Sequence, residues 1–164
     1  DDAILENILL WEGEVVPSLP SNLVIKKSCF GDEIIFKSEL SYGWDKYLCI
    51  QLAQKYTGKR IPERLFTHRL HSASMTHDIP ALEKDFIEIY TDAAAKKLFR
   101  SFWFKQRCFS NLYWILAASW WVNGKDKKKS IILLSKSLLV YPPTALKLFK
   151  KIILRMKACR ISIS

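Results

Sequence analysis

Between Ala3 and Leu10 the apolar residues gather on one side of a 3.6-residue period, so the chain opens on a helix over 3–10 with Trp11 just beyond it. Glu12-Gly13-Glu14 interrupts that pattern. Pro17 and Pro20 then hold the next stretch extended, because proline disfavours helix at itself and at the residue before it. Ser21–Ile25 reads as a short strand closed by Lys26-Lys27, and 29–39 as a loop turning at Gly31. Trp44, Tyr47, Leu48, Ile50, Leu52 and Ala53 return to helical spacing and predict a helix over 44–56, with Gly58 at or just past its C-terminal cap. Ile61–Leu70 reads as extended chain with Pro62 suited to an edge, and Ser72–His77 as a polar loop.

Beyond Pro80 the pattern is helical throughout. Ala81–Lys105 predicts one or two helices, strengthened by Ala93-Ala94-Ala95. Asn111–Val122 and Lys128–Tyr141, joined by the turn Asn123-Gly124-Lys125-Asp126, predict an antiparallel helical hairpin that looks like one tetratricopeptide-like unit. No second copy follows at a fixed period, so the hairpin does not make a repeat array. Pro142-Pro143 stops the second helix, and Thr144 is placed to cap a last one over 145–158. Strand-like segments first and helices afterwards give an expected α+β fold, with 1–79 as one unit and 80–164 as a basic helical extension.

Charge divides the chain in the same way. Residues 1–95 hold 10 Lys/Arg and 15 Asp/Glu, whereas 96–164 hold 16 Lys/Arg and the single acid Asp126. Opposite signs predict an electrostatic contact between the two segments. Any unpaired remainder of the positive charge suits an anionic membrane surface, where each basic side chain adds roughly 1 kcal/mol. Nucleic acid ranks below a membrane as partner, since no nucleic-acid-binding motif is present. Trp103, Trp114, Trp120 and Trp121 read as packing residues of the helical part, with an interfacial belt as the other reading.

Cys29, Cys49, Cys108 and Cys159 are widely spaced without a Cys-x-x-Cys pair, which excludes a zinc-finger pattern and a small disulfide scaffold and fits a reducing cytoplasm. The longest unbroken apolar run, Tyr113–Ala118, is far short of the roughly 20 residues needed to cross a bilayer. Neither a signal peptide nor a membrane span is expected, and the expected location is cytoplasmic or peripheral at the inner face of the membrane.

Three stretches in fixed order resemble the second half of family 2 glycosyltransferases of the GT-A type. They are Pro17–Lys27, a proline–serine stretch entering a strand that ends in basic residues; Tyr42–Ala53, similar to the family's Glu-Asp-Trp-Asp and the helix after it; and Arg60–Thr76, similar to its Ile-Pro-Glu-x-Leu strand leading to Arg-x-His-x-x-Ser. The resemblance implies the C-terminal, acceptor-side half of a GT-A-like domain, with a few short strands plus a helix. It implies transfer of a sugar from a nucleotide-sugar donor to a glycan acceptor, in polysaccharide or glycan synthesis. It implies a divalent metal, Mg or Mn, in the complete enzyme, which this chain alone is not expected to bind. On the matching positions, Trp44, Arg69 and Ser74 become substrate-binding residues and His71 a contact to metal or diphosphate. Arg69 and His71, two apart on extended chain, would share a face.

Inverting sugar transfer needs a carboxylate to take the acceptor proton and cationic groups to stabilise the departing diphosphate. The family's Glu-Asp is replaced here by Tyr42-Gly43, which leaves Asp45 as the remaining candidate base, and no Asp-x-Asp or glycine-rich phosphate loop occurs in the sequence. The expectation is a glycosyltransferase segment that is inactive alone. The alternative is a basic helical module that binds an anionic membrane surface or nucleic acid.

Overall fold

The computed structural model describes residues 2–12, 23–30, 34, 36–59, 61, 63 and 78–146. Their regular elements are all helical: α1 (Asp2–Leu10), α2 (Trp44–Ala53), α3 (Ile79–Ala95), α4 (Phe102–Ser119) and α5 (Lys127–Val140), with a 3-10 turn at Lys27–Cys29 and a π-helical turn at Trp120–Gly124. Among the described residues there is no strand. This corrects the expected α+β fold, and with it the expected strands of a GT-A-like half. Leu23–Ile25, the described part of the strand expected over Ser21–Ile25, belongs to no regular element, and Val24 is 95% exposed. A strand needs a ladder partner to satisfy its backbone groups, and among the described residues there is none. Most of the segment expected to be extended over 61–70 lies outside the described residues, and the two that are described, Ile61 and Glu63, are not in a strand.

Local chemistry sets the helix boundaries. Asp78 accepts a hydrogen bond from Ala81 N (3.1 Å) at the head of α3, Ser101 from Phe104 N (3.1 Å) at α4, and Asp126 from Lys129 N (2.9 Å) at α5. Each such cap contributes about 1 kcal/mol. The predicted helical stretch 81–105 is two helices, because Lys97 takes a left-handed φ of 56° after the end of α3 and turns the chain toward α4. Thr144 opens a further helical turn through Leu146, and its hydroxyl is bonded to Ser110 Oγ.

One core joins the early and late helices. Leu9 of α1, Ile89 and Tyr90 of α3, and Cys108, Leu112 and Leu116 of α4 are almost wholly shielded from solvent, and Tyr47 and Ile50 of α2 pack into the same cluster. α4 and α5 form an antiparallel hairpin held close by small residues: Ser137 Oγ donates to Ser110 O (2.8 Å) and Ser130 Oγ to Ala117 O (2.7 Å). The oppositely charged segments also meet, through Arg100–Glu6 (3.0 Å), Arg107–Glu12 (2.6 Å) and Lys129–Glu83 (2.6 Å). No helix among the described residues is long and apolar enough to cross a membrane.

Candidate functional site

The head of α2 carries Trp44 and Asp45, the two sequence-predicted site residues that fall among the described ones. Trp44 is 36% exposed there, and Asp45 follows in the first turn, where the helix dipole favours an anion. Asp45 Oδ1 accepts from Lys46 N (2.7 Å). Partial burial raises the Asp45 pKa above its ordinary carboxylate value, against the opposing pull of backbone N–H groups and the Lys46 charge. A carboxyl shifted this way is better suited to receiving a proton than a fully solvated one.

Gly43, immediately before, has no such freedom. A Cβ built on it would lie 2.4 Å from Ile89 Cδ1 and 3.5 Å from the Phe86 ring. The adjoining turn is fixed from the same side, since Tyr42 N donates to the buried carboxylate of Asp85 (2.7 Å). The position at which the resembled family carries its base is therefore closed over by α3.

Lys46 points inward. It is 5% exposed, its Nζ donates to Ile8 O (2.8 Å) at the C-terminal end of α1, and the ammonium lies 3.4 Å from the centre of the Trp11 ring and 5.2 Å from that of Tyr90. The ring faces and the helix C-terminus favour the charged form. Burial outweighs them together with the nearby Cys108, Asp45 and Cys49, and lowers the Lys46 pKa well below its ordinary value. Burial likewise pushes the thiols of Cys49 and Cys108 up to about 12. Amine and thiols are thus shut inside the core and are not placed to meet a substrate. Lys46 was not singled out as a buried residue from sequence, yet a signal exists: Lys46, Cys49, Ile50 and Ala53 follow the i, i+3, i+4, i+7 spacing of a buried stripe.

Of the other predicted site residues, Arg69, His71 and Ser74 lie outside the described residues. No group of three or more His, Cys, Asp or Glu side chains among the described residues is arranged to hold a metal ion. The depressions formed along α3 and beside Trp11 include neither Trp44 nor Asp45. An open groove of about 660 Å³ runs along α3 past Glu83, Ile87, Glu88 and Asp92, with Lys37 and Lys129 also in its lining. Its carboxylates are engaged in pairs: Glu88 with Lys37 (3.3 Å), Asp92 with Lys96 (2.9 Å) and Glu83 with Lys129 (2.6 Å). A smaller cleft of about 260 Å³ lies among Trp11, Glu12, Asn111 and Trp114. The tryptophans of the helical part divide between roles: Trp120 is buried with Nε1 donating to Glu83 (2.7 Å), whereas Trp103 and Trp121 are exposed.

No family model, curated protein or solved structure matches this chain.

Proposed function

We propose that this chain is an acceptor-side segment of a glycosyltransferase that moves a sugar from a nucleotide-sugar donor to a glycan acceptor, and that it does not transfer sugar alone. The observation that carries the reading is the pair at the head of α2. Trp44 offers an exposed ring of the kind on which a sugar face stacks, beside the half-buried Asp45, whose proton affinity is raised. Three sequence stretches in the order of family 2 glycosyltransferases point the same way. Inactivity in isolation follows from two features. The sequence carries no Asp-x-Asp for a metal-bound donor, and the position of the family base is a glycine packed against Ile89.

Tryptophan fluorescence titrated with a panel of oligosaccharides tests this reading. The expected result is a weak, saturable change that disappears in Trp44→Ala and weakens in Asp45→Asn, with no turnover of any nucleotide sugar by the chain alone. An identical response from Trp44→Ala, or none to any glycan, ends the reading.

A further inference from the structure

We propose that the outer face of the α4–α5 hairpin, from the π-helical turn along α5, is a docking surface for an anionic lipid bilayer. Trp121 and Val122 on the π-helical turn are 51% and 67% exposed, and Ile131, Ile132 and Leu139 of α5 are exposed as well. These side chains stand outward while the inner side of the same hairpin is fully packed through Ser130, Leu133 and Ser137. The apolar positions are interleaved with cations. Lys125, Lys127, Lys128 and Lys136 are all exposed, and none has a carboxylate partner among the described residues, in contrast to the inward Lys129, which is paired with Glu83.

Helical spacing sets the residues of α5 in two adjacent rows over its exposed half. Lys128, Ile132 and Lys136 recur every four residues, and Lys127 shares its row with Ile131. The Lys127 ammonium sits 5.4 Å from the centre of the Trp121 ring. The turn itself is anchored from behind: Trp120 is held by Glu83 and packs on Gly124, so Trp121 and Val122 project from a fixed base.

This combination selects its partner. A lone cationic strip would serve any polyanion through phosphate contacts. Aliphatic side chains such as Ile131, Ile132 and Leu139 gain nothing against a nucleic-acid backbone, whereas they enter the acyl boundary of a bilayer while lysines reach the headgroups and tryptophan occupies the interface. An anionic leaflet answers both halves of the strip, and the hairpin would lie on it rather than span it. The inference stands apart from the sugar-transfer reading, since it involves neither donor nor glycan.

Sedimentation of the full chain with vesicles of phosphatidylcholine, with and without phosphatidylglycerol, tests it. Binding is expected only with the anionic lipid. Neutralising Lys125, Lys127 and Lys128 together to Gln should lower the partition coefficient by about a hundredfold, from about fivefold per lysine. Trp121→Ala should lower it roughly tenfold. Because these side chains are exposed, the variants should melt with the wild type, which a thermal scan verifies. Equal binding to neutral vesicles overturns the proposal. So does a triple variant that sediments like the wild type, because the basic residues responsible would then lie elsewhere. Displacement by RNA with no effect of Trp121→Ala would identify simple polyanion binding and overturn it equally.

Discussion

Gly43 is small because α3 leaves it no room. Its φ of −110° is open to any residue, so the constraint is packing alone: Ile89, 1% exposed, sits where a Cβ would go. Gly43→Ala forces Ile89 to shift inside a filled core and should cost about 1–3 kcal/mol. Gly43→Asp places the carboxylate of the resembled family against Ile89 and Phe86, and should cost more, because a buried charge without a partner is worse than added volume. For a chain of this size each kcal/mol lowers Tm by roughly 2–4 °C. A thermal scan of both variants checks the order Ala before Asp, and the Asp variant should gain no transfer activity. A Gly43→Asp protein as stable as the wild type would mean that the turn at 42–43 can open away from α3. Asp45, one residue beyond Trp44, has the opposite character: it is reached by solvent and its carboxyl is tuned by partial burial, so Asp45→Asn should leave Tm nearly unchanged.

At the scale of elements, the α4–α5 hairpin depends on a small buried polar cluster. Ser110 Oγ donates to Ser137 O (2.8 Å) and lies 2.7 Å from Thr144 Oγ1, and all three residues are buried. Ser110→Ala keeps the close helix approach but leaves the Thr144 hydroxyl without this partner, at an expected cost of about 1–3 kcal/mol. Hydrogen exchange should localise the loss, with amides of Thr144–Leu146 deprotected while those of α3 keep their protection. The same cluster marks what could be read beforehand. The helices at 3–10, 44–56 and 128–141 were legible, because their apolar spacing is a local property of the sequence and their ends carry caps and breakers. The strand expected at Ser21–Ile25 is absent over its described part, Leu23–Ile25, since an apolar triplet is a strand only if a distant segment pairs with it, and periodicity carries no information about that. The candidate site was legible in the same measure. Trp44-Asp45 stood out by resemblance, whereas the sealing of Gly43 by Ile89 and the inward turn of Lys46 depend on contacts from α1 and α3 that no local pattern encodes.

Across the whole molecule, α1, α2, α3 and α4 meet around an interior that encloses titratable groups, and its response to alkali follows from them. Cys49 and Cys108 hold their protons up to about 12 in the folded chain, against an ordinary thiol value of 9.0. A pKa raised by folding contributes stability that is fully present below about pH 9 and is lost as pH climbs toward 12. Lys46 works in the other direction. Its pKa is depressed below the ordinary 10.5, so its contribution is present above that pH and is lost as pH falls through the folded value. The wild type should therefore gain stability from the lysine on going from neutral pH upward, until loss from the thiols overtakes it. Urea midpoints measured from pH 7 to pH 11 should separate the two. Lys46→Met removes the rise and leaves the fall, and it retains most of the packing against Trp11 and Tyr90 that the lysine stem provides. Paired Cys49→Ala and Cys108→Ala changes should shift the fall to higher pH and leave the rise, since the buried phenol of Tyr90 is also held above its ordinary value of 10.0 and keeps its own share of the loss, at a lower overall midpoint from the cavities they create. If Lys46→Met tracked the wild type across the whole range, the amine would have to reach water in the folded state, and the enclosure of Lys46 by α1 and α3 would be disproved.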